Sequence, residues 1–127
     1  MRKTFLTVVA SLLLFPVLGM TQGTLVSVTV DVPFEFHIGK AVMPAGSYSF
    51  KPGSATGVIQ VVRESNGNSV NATVLTRIAA WPDHATHVIF DKAGDQYYLA
   101  ELHITGVDGY HFQGAPGPHT HVELKGK

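Results

Sequence analysis

From residue 24 onward apolar and polar positions alternate almost throughout, and apolar residues nowhere recur at a helical spacing. Val26, Val28, Val30, Val32, Phe34, Phe36 and Ile38 hold every second position, with Ser27, Thr29, Asp31, Pro33, Glu35 and His37 between them. Successive strand side chains point to opposite faces, so one face of this run packs and the other is wet. Pro33 cannot donate a ladder hydrogen bond. The strand is therefore an edge, a break or a bulge at that point, and the run is expected to serve two sheets.

Further strands follow, each bounded by turn residues. Met43-Pro44-Ala45-Gly46 makes a turn into residues 47–51, with Tyr48 and Phe50 on one face, and Pro52-Gly53 stops that strand. Residues 58–64 and 70–80 flank Asn66-Gly67, a strong hairpin signal, and read as an antiparallel pair. Trp81-Pro82-Asp83 marks a corner, and residues 87–92 and 96–104 form a hairpin about Gly94-Asp95. Asp108-Gly109 turns the chain into residues 110–113, a Gly/Pro-rich loop spans residues 114–118, and residues 119–124 make a last short strand. If Asp108 and Gly109 are the two central turn residues, His103 and His111 point to opposite faces. The expected fold is all-β, a small antiparallel β-sandwich or partly open barrel of about 7–8 short strands. Residues 24–127 form one domain.

Met1-Arg2-Lys3 and the apolar run of residues 4–18, broken by Pro16, precede that domain. A basic start, a short apolar stretch and small residues at Gly19 and Gly23 describe a cleavable signal peptide over residues 1–23. The apolar run falls short of the about 20 residues of a bilayer span, and no second one follows, so the mature protein has no transmembrane span. A secreted or periplasmic location is expected. The chain has no Cys, which removes disulfides, thiolate metal sites and cysteine nucleophiles. Without Arg2 and Lys3, seven basic side chains face nine acidic ones, a balance that gives nucleic acid nothing to bind.

The segment Val32-Pro33-Phe34-Glu35-Phe36-His37-Ile38-Gly39, followed by Met43-Pro44-Ala45-Gly46-Ser47-Tyr48, resembles the opening of a family of small exported bacterial proteins of uncharacterised function. Its members pair V-P-F-x-F-x-x-G with L-P-A-G-x-Y. The likeness extends to Val88-Ile89-Phe90 and to the stretch from Gly94 to Glu101, with Ala93 where the family has Tyr. The resemblance implies an exported all-β domain and assigns no activity, ligand or site residue.

Seven histidines are many for a chain of this length. His119 and His121 share a strand face with Glu123, and a His-x-His pair of this kind suits Zn, Cu or Ni. Glu101 and His103 form a second same-face pair. A core made by Leu102, Ile104, Val122 and Leu124 places Glu101, His103, His119, His121 and Glu123 on the outer, wet side. No G-x-S-x-G is present, Ser54 being misplaced within residues 53–57. The carboxylate pairs Asp31/Glu35 and Asp91/Asp95 lie near turns or on strand faces, with no apolar pocket evident to separate their roles. Adjacent Tyr97 and Tyr98 put one ring inside and one outside, where it could stack on a sugar or a peptide.

The expected function is a non-enzymatic binding or structural module outside the cytoplasm, with an unknown protein or glycan partner. The alternative is a transition-metal binder using His119 and His121, with Glu101 and His103. N-terminal sequencing of the native product should find its first residue between 20 and 24; an intact Met1 would refute export.

Overall fold

A computed structural model describes residues 27–80 and 83–127. The expected signal peptide over residues 1–23, Val26, and Trp81 and Pro82 of the expected corner lie outside the described residues. The described chain forms eleven strands and no helix: β1 (Val28–Val32), β2 (Phe36–Ile38), β3 (Ala41–Met43), β4 (Gly46–Pro52), β5 (Val58–Arg63), β6 (Ser69–Thr73), β7 (Thr76–Ile78), β8 (His87–Ala93), β9 (Gln96–His103), β10 (Gly109–His111) and β11 (Thr120–Lys125). One sheet has the order β1-β4-β5-β6, and a seven-stranded sheet has the order β11-β8-β9-β10-β7 with β2 and β3 joined to β9. Pairing is antiparallel except between β2 and β9.

The strand count exceeds the sequence expectation because two runs that alternate without interruption change sheets midway, and because β3 forms just before the Pro44 turn, where no strand was expected. The first run breaks at Pro33, so β1 joins the smaller sheet and β2 the larger. Proline has no donor for the ladder, and the bend falls where it stands. The second run breaks at Val74 and Leu75, which hydrogen-bond to Gly57 and His111 on opposite sides of the crossing. Alternation survives the first switch, since Val28, Val30, Val32, Phe36 and Ile38 reach the same interior. At the second, Leu75 is exposed, and Thr76 pairs with His111 and Arg77 with Tyr110, so Ile78 falls on the outer face.

That interior holds Val28, Val30, Val32, Phe36 and Ile38 from the first run, Tyr48, Phe50, Ile59 and Val61 from the smaller sheet, and Val88, Phe90, Leu99 and Leu102 from the larger. Phe36 packs edge-on to both Tyr48 and Phe90, with centroids 5.1 Å away in each case. Phe34 stacks on Tyr97 at 3.8 Å, so Tyr97 is the inward tyrosine. The Tyr48 hydroxyl donates to the Pro44 carbonyl at 2.5 Å and ties the Pro-Ala-Gly turn to the strand it starts, while burial pushes its pKa up.

Two edges of the sandwich are fastened at the C-terminus. Gly126 N–H donates to Thr86 and Lys127 N–H to Thr29, joining β11 to β1 across the sheets. The Lys127 ammonium lies 3.0 Å from Asp31; its hydrogen bond, with one from Ser47, holds the Asp31 carboxyl below the usual carboxylate range. A depressed folded-state pKa contributes stability above the unfolded value, so this exposed clasp weakens as pH falls through the acid range. Phe36→Ala should cost about 3–5 kcal/mol and Tyr48→Phe about 1 kcal/mol in urea unfolding, because the first leaves a cavity and the second removes one hydrogen bond.

Candidate metal centre

In the larger sheet β10 lies beside β9 while β11 lies beside β8, so the connection between them must cross both strands. Residues 112–119 make that crossing over the outer face. Phe112 N–H donates to the carbonyl of Ala100, and Ala115 N–H donates to Asp91 Oδ2 at 3.0 Å. Gly114 fits tightly: a Cβ there would meet Asp91 Oδ2 at 2.3 Å, and its φ of +70° disfavours other residues. Asp91 is consequently only 5% exposed although it points away from the core.

A bulge in β9 prepares the same spot. Ile89 pairs with Glu101 but Phe90 pairs with Leu99, which leaves Ala100 as the extra residue. Leu99 and Leu102 both face the core as a result, and the outer positions shift from Glu101 and His103 to Tyr98. Directly opposite residues share a face. His121, Asp91, Tyr98 and His37 therefore form one row across β11, β8, β9 and β2.

His121 Nδ1 lies 3.1 Å from Asp91 Oδ1, and His119 Nε2 lies 3.5 Å from the same oxygen. Neither approach has hydrogen-bond geometry, so this buried oxygen has no hydrogen-bond partner among the described residues. His119 Nδ1 lies 2.7 Å from the Gly117 carbonyl. A carbonyl only accepts, so Nδ1 carries the proton and a neutral His119 directs the bare lone pair of Nε2 at the carboxylate. With both imidazoles neutral, the arrangement brings electron-rich atoms together around a buried carboxylate oxygen. A cation between them relieves that repulsion. One ligand atom from each of the three residues lies within 4.8 Å of the others, and two His with one carboxylate, His119 and Asp91 each oriented by a backbone hydrogen bond, are a donor set for Zn or a neighbouring divalent transition metal. His121 has 60% of its side chain exposed and can close the remaining distance.

Of the residues read from the sequence, His119 and His121 meet here. Glu101 and His103 lie elsewhere on the same face: His103 Nε2 and Glu101 Oε1 are 2.7 Å apart, and His103 stacks on His87 at 4.7 Å between centroids. His87 is four residues from Asp91 along β8, a rise of about 13 Å. The outer placement of Glu101, His103, His121 and Glu123 agrees with the sequence reading, but His103 is 4% exposed and not wet, because His87 covers its ring. The opposite facing of His103 and His111 is also corrected. Tyr110 pairs with Leu102 and His111 with Glu101, a register set by a longer turn than the two-residue one, and both histidines lie on the outer face. Asp91 entered the sequence reading only as part of an Asp91/Asp95 pair; its alternation with Phe90 marked it as outward, and nothing local marked it as buried.

The fold and site define an all-β sandwich with a His/His/Asp cluster under a crossing loop. No protein-family model, curated protein or solved structure matches this chain.

Gly114→Ala should destabilise the protein by at least about 1 kcal/mol in urea unfolding, from φ strain and the contact with Asp91. Gly117→Ala, which meets no atom within 4 Å, should stay within about 0.5 kcal/mol of the parent.

Proposed function

We propose that this domain is an exported, non-enzymatic binding module whose ligand is a divalent transition metal ion held by Asp91, His119 and His121. The carrying observation is the buried Asp91 Oδ1, which accepts no hydrogen bond among the described residues and faces two imidazole nitrogens. A charged oxygen out of water needs a positive partner, and a metal supplies one while using all three donors. Three protein ligands beside an exposed imidazole leave coordination positions open to solvent, which suits a site that loads and unloads. Placement outside the cytoplasm rests on the signal-peptide pattern and on the resemblance to small exported bacterial proteins.

The test is thermal unfolding of metal-stripped protein with and without Zn, Cu or Ni. Binding to the native state alone adds about 2.7 kcal/mol of stability at a hundredfold excess over Kd. A saturable rise in Tm is expected at pH 7.5. It should vanish at pH 5.5, below the ordinary imidazole pKa of about 6.5, because protonated ligands release the ion. It should also be absent in the double variant His119→Ala/His121→Ala. No rise with any of the three metals in the parent protein would refute the reading.

A further inference from the structure

Beside the crossing loop, the edge strand β6 and the larger sheet border a cleft of about 500 Å³. That volume lies within the range of small-molecule sites. Its floor is apolar, with Ile38, Leu99 and Phe112, and its sides carry Asn71, Thr73, Gln113, His37 and Tyr98. No Asp, Glu, Lys or Arg lines it. A charged ligand would lose water there without gaining a counter-charge, so the lining selects for neutrality.

The polar groups are also uncommitted. Asn71, Thr73 and Gln113 are exposed, and their side chains make no hydrogen bond among the described residues. Each amide offers both donors and an acceptor, and the Thr hydroxyl offers both roles. The aromatic side is held in place: His37 stacks on Tyr98 at 4.7 Å, and His37 Nε2 donates to Gln96 Oε1 at 2.6 Å. Amides and hydroxyls above an apolar floor, next to braced rings, match a ligand with many hydroxyls and apolar C–H faces.

We infer that this cleft binds a neutral glycan chain. The bulge at Ala100 turns Tyr98 outward, and Gly114 and Pro116 of the crossing loop complete the wall, so the metal centre and the cleft share one loop. An extended peptide is the competing occupant, and it would add to the β6 edge through main-chain hydrogen bonds.

The experiment is calorimetric titration of the purified protein with neutral oligosaccharides (cello-, xylo-, manno- and chito-oligomers) and with uncharged extended peptides. Saturable binding of at least one oligosaccharide is expected. The double variant Asn71→Ala/Gln113→Ala should weaken it by at least about tenfold while leaving the Tm of the free protein unchanged. Tyr98→Phe should retain the fold and report on the hydroxyl alone. Absence of binding to every oligosaccharide, binding of the peptides instead, or oligosaccharide binding unaltered in the double variant would each overturn the inference.

Discussion

Every strand in this domain has one side that must leave water, and the two sheets exist to bury those sides against each other. With no cysteine in the chain, packing between Phe36, Tyr48, Phe50, Phe90 and their aliphatic neighbours is the cohesion available among the described residues. The two places where the chain changes sheets follow from that constraint. At Pro33 the alternating run crosses without turning an apolar residue outward, whereas the second crossing leaves Leu75 exposed, and at both the ladder is interrupted. Pro33 interrupts it by lacking a donor, and Val74 and Leu75 do so by hydrogen bonding to loop and strand partners on different sides.

The same economy creates the candidate site. Because β10 and β11 flank a hairpin rather than each other, residues 112–119 must lie over the outer face, and a segment laid over a sheet buries whatever stands beneath it. Beneath it stands a carboxylate. Ala115 satisfies one oxygen and Gly114 permits the approach, while the second oxygen is left to the two imidazoles. Burying charge is costly unless it is compensated, and a metal ion bound there would provide the compensation. The loop that buries the carboxylate also walls the neighbouring cleft, so the candidate site and the cleft depend on one crossing.

Much of the fold was legible in the chain. Period-2 alternation identified the strands, Pro33 located the first sheet switch, and Asn66-Gly67 and Gly94-Asp95 located two hairpins that the structure contains. The second switch was not legible, because Val74 and Leu75 continue the apolar character of the strands on either side. His119 and His121 could be paired from spacing alone, since residues two apart on a strand share a face. Their third partner could not, because Asp91 lies on a different strand and owes its burial to a loop that arrives 24 residues later in sequence.

The sequence by itself determined the class of structure, the packing side of the strands that carry no bulge or sheet switch, and the His-x-His pair, since all three depend on period and turn chemistry within a few residues. Only the tertiary structure decided which strands became neighbours, and three consequences rest on that. The bulge at Ala100 changes the parity of β9 and brings Tyr98 level with Asp91; a register of longer reach places His103 and His111 on one face; and the crossing loop turns a surface carboxylate into a buried one. Register, bulges and burial are set by contacts between distant segments, and a local alternation pattern carries no record of them.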